Sequence, residues 1–231
     1  MVKLSVIVPA YNEANYIHNM LTSLKRQVFT DFEIIVKDGQ SSDRTVEIAK
    51  KYADKITSSR DISVSDARNY GAKYAEGGVL VFVDADTVLP PNLLQEIAEV
   101  MEDKNIVGGS CRKLPGNKSV LDRMVYEFVN ISTHFSVYLH IGGAHGNCFF
   151  IRKNIFKKVG GFNPRIKIAE EQELVRKAMK FGDFVFLLDQ YVTEHPRRIQ
   201  KWGRLKLYTT WLNGTLRSFK AREKQTYEKV R

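Results

Sequence analysis

The chain has 231 residues, of which 43% are hydrophobic and 27% are charged. This composition excludes a chain that is disordered along most of its length, and it suits one globular domain with or without an appendage. The formal net charge is +10, and residues 196–231 carry eleven Lys or Arg against two Glu, a net charge of +9. A basic tail on a nearly neutral body predicts a surface contact with phosphates, either of a membrane or of nucleic acid.

The cysteines and the hydropathy pattern indicate the compartment. Cys111 and Cys148 are too few for a disulfide framework and lack the spacing of a metal site, so we expect reduced thiols in a cytoplasmic protein. The opening segment "VKLSVIVPA" is followed at once by polar residues, which is not the pattern of a signal peptide. No segment has the roughly 18 consecutive apolar residues of a membrane-spanning helix. We therefore expect a soluble protein, or one that is peripheral at the inner face of the cell membrane.

The first 90 residues alternate between strand and helix patterns. The segments "KLSVIV", "FEIIV", "KITSS" and "GVLVFVD" are typical of buried strands. Helix patterns lie between them at residues 13–26, 45–52 and 65–75, and the second is preceded by the good N-cap residues Ser42 and Asp43. This alternation predicts an α/β fold with a mostly parallel, twisted sheet and helices on both faces.

The pattern is looser after the fourth strand. We predict a helix near residues 92–101, a strand at "IVGGSCRK", a long helical stretch, a strand at "GNCFFIRK", a helix over residues 170–180 and a strand at "LDQYVTE". No linker precedes Pro196. We therefore predict one α/β domain over residues 1–195, followed by a basic amphipathic helical extension over residues 196–231.

The extension contains a mostly apolar stripe at helical spacing, formed by Trp202, Leu205, Thr209, Leu212, Leu216 and Phe219. Two interpretations stay open. The helix packs on the domain, or it lies on an anionic membrane with its apolar face in the lipid and its basic residues at the headgroups. We expect no nucleic-acid partner, because the chain lacks a helix-turn-helix, a zinc motif and an aromatic-basic strand motif.

Polar segments follow three of the predicted strands: "PAYNEA", "KDGQSSDRT" and "DADT". Ligands of parallel sheets bind where the strands end, so these segments predict one shared crevice. Asp84 and Asp86 point to the same side of an extended chain and repel each other unless a cation lies nearby. Asp-x-Asp is ordinarily a turn; in a functional site it holds a Mg2+ or Mn2+ ion that is shared with substrate phosphates.

Five segments, in this order and spacing, resemble the family 2 inverting glycosyltransferases: "SVIVPAYNE", "EIIVKDGQSSDRT", "ARNYGAKYAEGGVLVFVDADT", "GGF" and "EEQEL". The resemblance covers residues 3–195 and implies a nucleotide-sugar-binding fold of the glycosyltransferase A type, which is Rossmann-like. It also implies that a sugar is transferred with inversion, from a nucleotide diphosphate donor to a hydroxyl or phosphate of a glycan or lipid-linked acceptor. The implied cofactor is a divalent cation, Mn2+ or Mg2+, and we favour UDP over GDP as the donor nucleotide.

By the same resemblance, the nucleotide-sugar donor contacts Pro9, Ala10, Tyr11, Glu13, Asp38, Arg68, Asp84 and Ala85. Asp38 would accept a hydrogen bond from the ring N–H of the base, and Arg68 would pair with a phosphate or with a carboxylate such as Asp38. Ordinary interpretations stand beside these: an Asp-Gly turn for Asp38, solvated surface for Arg68, and the first turn of a helix for Glu13. Gln40 departs from the family pattern, in which glycine or serine is common.

The resemblance places the catalytic base in "EEQE", where relatives have Glu-Asp-x-Asp or Glu-Asp-x-Glu. Glu171 takes the position of the Asp and is our candidate for the base that removes the acceptor hydroxyl proton, with Glu170 as its possible substitute. Acids at a helix N-terminus are also favoured by the helix dipole alone. The same comparison assigns Gly146 and Asn147 to the acceptor side.

The resemblance assigns the metal ion to Asp84, Asp86 and His195, because carboxylate oxygen and neutral imidazole are both ligands of Mn2+. A single His is more often structural than a ligand. Arg197 and Arg198 either bind the pyrophosphate or begin the basic tail.

Two other functions stay open. A nucleotidyltransferase that makes nucleotide sugars would carry a Gly-rich loop with Arg and Lys after the first strand, where this chain has "PAYNEA". A non-catalytic carbohydrate- or membrane-binding module would tolerate the replacement of Glu171 by Gln.

Overall fold

The computed structural model describes residues 3–61, 63–166 and 169–218, the last seven of them by their backbone alone. The strands of these residues are β1 (Leu4–Ala10), β2 (Phe32–Asp38), β3 (Lys55–Ser58), β4 (Val79–Val83), β5 (Thr87–Val88), β6 (Ile106–Pro115), β7 (Cys148–Arg152) and β8 (Asp183–Glu194). They form one sheet in the order β3-β2-β1-β4-β7-β6-β8-β5.

The helices are α1 (Ile17–Lys25), α2 (Thr45–Ala49), α3 (Val64–Lys73), α4 (Leu93–Val100), α5 (Val120–Tyr138), α6 (Lys153–Lys158), α7 (Glu170–Ala178), α8 (Arg197–Trp202) and α9 (Arg204–Ser218). Serine caps begin two of them: Ser63 Oγ accepts a hydrogen bond from the Asp66 amide, and Ser119 Oγ accepts one from the Asp122 amide, both at 3.2 Å. The helix expected at residues 13–26 begins only at its fifth residue, and α6 is an additional helix.

The sheet is parallel in its first half and mixed in its second. The strands β3, β2, β1 and β4 all pair in parallel, which confirms the fold class expected from the alternating pattern. In contrast, β7 runs antiparallel to both β4 and β6, and β5 runs antiparallel to β8. The chain reaches β7 only after α5, and Cys148 opposite Val83 shows that β7 starts at the edge where β4 ends.

Two apolar clusters cover the two faces of the sheet, because side chains alternate along each strand. Val6 and Val8 of β1 join one cluster with helices α1 and α4, whereas Ile7 joins the other with α3, α6 and α7. Phe82 and Phe149 stack in the second cluster with their ring centroids 5.0 Å apart. Helices therefore lie on both faces, as expected.

The two cysteines belong to neighbouring strands in the middle of the sheet. Both thiols are free and buried. Burial and the thiol of Cys148 raise the pKa of Cys111 well above its usual value.

The described part of the extension packs on α5. Asp122 accepts hydrogen bonds from Arg204 Nε at 2.6 Å and from the Tyr208 hydroxyl at 2.7 Å. The rings of Tyr126 and Trp211 meet edge to face at 5.3 Å, and Leu207 is fully buried.

The stripe expected in the extension is only partly described. Leu205 is 79% exposed, the side chains of Leu212 and Leu216 lie outside the described atoms, and Phe219 lies outside the described residues. The division of the chain at Pro196 stays a prediction. Across the described ranges, no helix is both long and apolar enough to cross a membrane.

Candidate functional site

The ends of β1, β2 and β4 meet at one edge of the sheet. Ala10 and Asp38 end β1 and β2 as cross-strand partners, and the carbonyl of Ala10 accepts a hydrogen bond from the Gly39 amide at 2.8 Å. A Cβ at Gly39 would lie 3.2 Å from Tyr11, so a larger residue would crowd this exit. Ala10 and Ala85 bury their methyl groups in the core, which leaves only their backbone for contact with a donor.

Asp38 is buried, and its carboxylate closes a turn. Its Oδ2 accepts hydrogen bonds from the amides of Gln40 and Ser41 and from Ser58 Oγ, at 3.0, 3.2 and 3.2 Å. Gln40 adopts a left-handed φ of 64°, a conformation that favours glycine. The bonds to Oδ2 are those of an aspartate that closes a turn through its side chain, and among the described residues Oδ1 accepts a hydrogen bond only from the Ser41 amide, so it keeps capacity for another donor. Base recognition by Asp38 stays a prediction.

Lys37, a fully buried cation beside Asp38, was missed by the sequence analysis. Its Nζ donates hydrogen bonds to the carbonyls of Asp38 and Ser59 at 2.8 and 2.9 Å, and to Asp61 Oδ2 at 2.5 Å. These bonds tie the end of β2 to the segment after β3. A lysine that directly follows the apolar run at residues 34–36, within the strand segment "FEIIVKD", is the signal that could have found it.

Arg68 joins three parts of the site. It is 2% exposed; Nη1 donates to Glu170 Oε1 at 2.8 Å, while Nη2 donates to Asp84 Oδ1 at 2.9 Å and to the Gly146 carbonyl at 2.6 Å. The interpretation as solvated surface is wrong, and so is the suggested carboxylate partner Asp38, since α3 directs Arg68 toward the end of β4 instead. A guanidinium with several donors suits such bridging.

Each aspartate of "DADT" lies beside its own arginine. Arg68 pairs with Asp84, and Arg197 Nε lies 2.7 Å from Asp86 Oδ2. Arg197 also donates from Nη1 to Glu13 Oε2 at 2.6 Å. Burial raises the pKa of Asp86 to about 7, against the opposing effect of Arg197. The cation that this acidic pair requires is thus supplied, in the described residues, by two guanidinium groups.

Two of the three residues expected at the metal site, Asp86 and His195, lie beside each other. Asp86 Oδ2 and His195 Nδ1 are buried and have no hydrogen-bond partner among the described residues. The His195 amide donates to the Asp86 carbonyl at 3.0 Å, which holds the two residues together. A carboxylate oxygen and an imidazole nitrogen fit a divalent cation chemically, although Asp86 Oδ2 is ion-paired with Arg197 in this structure. However, no group of three or more acidic, His or Cys side chains in the described ranges is placed to hold a metal.

The two glutamates at the start of α7 have different surroundings. Glu170 is buried and paired with Arg68. Glu171 Oε2 lies 3.3 Å from the position that a Cβ on Gly146 would take. Burial and the charge of Glu170 raise the pKa of Glu171 to about 8. A buried carboxyl group with a raised pKa beside a second carboxylate is typical of acid–base sites.

The expected acceptor residues lie between these groups. The Asn147 carbonyl accepts a hydrogen bond from the Asp84 amide at 3.2 Å, so the start of β7 touches the end of β4. Both amide atoms of the Asn147 side chain are buried without a hydrogen-bond partner in the described part of the chain. Buried amides are normally satisfied, so this one is suited to a ligand hydroxyl. Its role at the acceptor side stays a prediction.

Lys113 is a second buried cation that sequence reasoning missed. Its Nζ lies 4.0 Å from the ring centroid of Trp211 and 5.4 Å from that of Tyr126. Burial lowers the pKa of Lys113, while the charge of Glu194 opposes this effect. A lysine in a partly alternating strand carries no signal of its burial, because its aromatic partners are distant in the sequence.

Comparison with known proteins identifies the family. The family model described as glycosyl transferase family 2 matches residues 5–160. The poly(ribitol-phosphate) beta-N-acetylglucosaminyltransferase TarS of Staphylococcus aureus is 36% identical over 115 residues, which are 45% of this chain and 19% of TarS. The probable glycosyltransferase YdaM of Bacillus subtilis is 27% identical over 92% of this chain and 55% of its own length. This chain therefore spans only part of these curated relatives.

Solved structures support the fold. The mannosyltransferase PcManGT of Pyrobaculum calidifontis, in complex with GDP-Man and Mn2+, superimposes with a TM-score of 0.75 at 20% identity, over 97% of this chain and 66% of that one. Residues 1–349 of S. aureus TarS in complex with UDP-GlcNAc give a TM-score of 0.67 at 24% identity, over 83% of this chain and 58% of that one. The fold is thus of the glycosyltransferase A type. Since the family model covers more than half of its residues, the chain belongs to glycosyl transferase family 2.

Proposed function

We propose that the chain is a metal-dependent, inverting glycosyltransferase that moves a hexosyl-type sugar from a nucleotide diphosphate donor to an acceptor hydroxyl or lipid phosphate, in glycan or glycolipid synthesis. One observation carries the proposal: Arg68 connects the acidic end of β4, the acidic start of α7 and the start of β7 through Asp84, Glu170 and Gly146. The groups that the proposal assigns to donor, catalysis and acceptor are therefore linked through one arginine side chain.

The donor nucleotide binds at the ends of β1 and β2 in this proposal. The donor faces Pro9 and Ala10 at the end of β1 and Tyr11 directly after it. Asp38 accepts a hydrogen bond from the ring N–H of the base through Oδ1. UDP is favoured over GDP, in line with the UDP-GlcNAc complex of TarS, while the GDP-Man complex of PcManGT keeps GDP as the alternative. Glu13 contributes to donor binding indirectly, because it holds Arg197 in position.

Asp84, Asp86 and His195 would hold the divalent cation, Mn2+ or Mg2+. When bound, such an ion stabilises the negative charge of a departing diphosphate. Support comes from the buried His195 Nδ1, which has no hydrogen-bond partner among the described residues, from its neighbour Asp86, and from the Mn2+ in the PcManGT complex. Arg197, which lies beside Asp86, is positioned to exchange this carboxylate for a donor phosphate.

Glu171 removes the acceptor proton in the proposed reaction. The acceptor oxygen bonds to the anomeric carbon from the face opposite the nucleotide, the bond from that carbon to the diphosphate oxygen breaks, and the proton passes to the Glu171 carboxylate. Glu170 is engaged by Arg68 at 2.8 Å, which favours Glu171 over Glu170 as the base. With its pKa raised to about 8, Glu171 is deprotonated only in mildly alkaline solution, so the rate rises with pH through that value.

The test is a panel of UDP- and GDP-sugars with Mn2+ or Mg2+, read as release of nucleoside diphosphate. Glu171→Gln should lower turnover by about 10²- to 10⁴-fold with donor binding retained. Glu173→Gln is the matched control, because Glu173 belongs to the same helix turn but pairs with Lys177. Equal activity of Glu171→Gln and the native chain would favour the binding-module alternative.

The finer assignments of partner and compartment are proposals as well. We place the enzyme in the cytoplasm, at the inner face of the cell membrane, with the basic extension available to anionic lipid. The eleven Lys or Arg among residues 196–231 support this placement.

A further inference from the structure

Helix α5 is amphipathic in the opposite sense to an ordinary surface helix. Its buried positions include three polar or partly polar residues, Asp122, Tyr126 and Asn130, together with Val137. Its exposed positions are large and apolar: Val120, Leu121, Met124, Phe128, Ile131, Phe135 and Tyr138. The exposed fraction of each of these seven lies between 56% and 73%.

These seven residues form one continuous stripe, which we call the outer face of α5. At about 100° per residue they fall within a sector of roughly 100°. Leu139, which follows the helix, is 48% exposed and falls in the same sector. Isolated apolar residues on a surface are normal, but a contiguous patch of this kind marks an interaction site.

The polar inner face of α5 is explained by its contacts within the chain. Asp122 is bound by Arg204 and Tyr208 of α9, and Asn130 forms two hydrogen bonds of 3.0 Å with the backbone of Lys113. The orientation of the helix is therefore fixed by several buried polar bonds. Turning the outer face inward would break all of them.

Charge decides which partner fits the outer face. Lys118 and Arg123 are exposed at the start of α5, and Lys201, Arg204 and Lys206 are exposed on the helices that pack against it. A second copy of the chain would bring the same exposed basic residues to the interface, and each copy has a net charge of +10, which opposes association. An anionic lipid surface offers both an apolar layer and negative headgroups.

We propose that the outer face of α5 inserts into the interfacial layer of an anionic membrane, with the helix lying in the membrane plane. The helix has 19 residues, about 28 Å, so the whole stripe would contact lipid at once. This surface differs from the extension considered above, which supplies the basic flank while α5 supplies the apolar contact. The proposal does not depend on transferase activity, since membrane binding requires no donor.

The test is co-sedimentation of the full 231-residue chain with sucrose-loaded vesicles, made either of phosphatidylcholine alone or with about a third of phosphatidylglycerol. We expect binding to the anionic vesicles. The variant Phe128→Gln/Ile131→Gln/Phe135→Gln should lower the partition coefficient by roughly tenfold or more. Its circular dichroism and thermal midpoint should stay native, because these side chains have few contacts. Val28→Gln is the control, since Val28 is 62% exposed away from α5.

A second readout reports position. Phe128→Trp should show a blue-shifted emission on anionic vesicles and quenching by brominated lipid, beyond the response of the native Trp202 and Trp211. Unchanged vesicle binding of the triple variant would assign the contact to the basic extension and overturn the proposal. A dimer that dissociates in the triple variant, without vesicle binding by the native chain, would also overturn it and identify the outer face as a homodimer interface.

Discussion

Two arginines of the site each lie between two carboxylates, and they differ in how completely they are bound. Arg68 is held by Glu170, Asp84 and the Gly146 carbonyl, with its guanidinium 5.3 Å from the ring of Phe162. In the described part of the chain, Arg197 donates one hydrogen bond, to Glu13, and its Nε lies 2.7 Å from Asp86 Oδ2. The Nε atom of each arginine has no hydrogen-bond partner among the described residues, so the difference lies in the number of bonds that the terminal nitrogens make. The contacts of Arg68, which we call the first cluster, therefore resemble a permanent structural link. The contacts of Arg197, which we call the second cluster, resemble an exchangeable contact.

The difference teaches how one crevice divides its tasks. A buried arginine with several charge-assisted hydrogen bonds fixes the elements around it, because its loss would leave unpaired buried charges. An arginine held by fewer hydrogen bonds can leave its partner at a smaller cost. Experiments on each cluster can break or sharpen this comparison.

The largest expected effect is on stability, from Arg68→Ala. This change leaves Glu170 and Asp84 without their partner, and we expect the free energy of unfolding to fall by about 3–5 kcal/mol. Urea denaturation provides the measurement, with Arg44→Ala as the control, because Arg44 pairs with Glu47 on the exposed surface, where an ion pair contributes little to stability.

Arg68→Lys keeps the charge but loses the bridging geometry, so its loss of stability should be intermediate. If both Arg68 variants matched the Arg44 control, the first cluster would not be a structural link.

A smaller effect concerns pH. The pKa of Glu171 is raised to about 8, so the folded state retains a proton that the unfolded state has released above its usual pKa. The stabilisation by the neutral carboxyl is complete at low pH and is lost as pH rises through about 8. Glu171→Gln should remove this decline, which lies between the usual glutamate pKa of 4.5 and about 8, and so flatten the stability profile in that range. Parallel profiles of the two proteins, measured by urea titration at several pH values, would contradict the raised pKa.

The smallest effect concerns the second cluster. If Arg197 competes for Asp86, Arg197→Gln should bind Mn2+ a few-fold more tightly without donor, a change of less than about 1 kcal/mol. The electron paramagnetic resonance signal of free Mn2+ measures this affinity. Asp86→Asn should abolish the gain. Weaker Mn2+ binding by Arg197→Gln would show instead that the arginine supports the metal site.

The sequence predicts the donor side of this site better than the long-range contacts that complete the site. Alternating strand and helix patterns, followed by Asp38 and by Asp84 and Asp86, are local signals, and the structure brings those strand ends together. The contact of Arg197 with Glu13 joins residues 184 positions apart, and that of Arg68 with Glu170 joins residues 102 apart. No periodic pattern in the sequence predicts such pairs, because they form only when the mixed half of the sheet is placed beside the parallel half.

The same limit applies to α5. Its apolar residues predict a helix, but the hydrophobic period alone does not say whether an apolar face meets the core or the outside. Only the hydrogen bonds of Asp122 and Asn130 to distant elements decide the orientation. In the sequence, the one local signal for this orientation is Asp122 in the first turn of the helix. An aspartate at that position is also compatible with simple capping.

The neighbouring thiols of Cys111 and Cys148 allow the opening of the sheet at its centre to be measured by chemical modification. Because both are buried and the pKa of Cys111 is raised, an alkylating reagent should modify them only when the seam between β6 and β7 opens. The rate of alkylation in native buffer therefore measures how often this seam separates. A donor sugar that bridges the two halves of the sheet would slow that reaction without touching either sulfur.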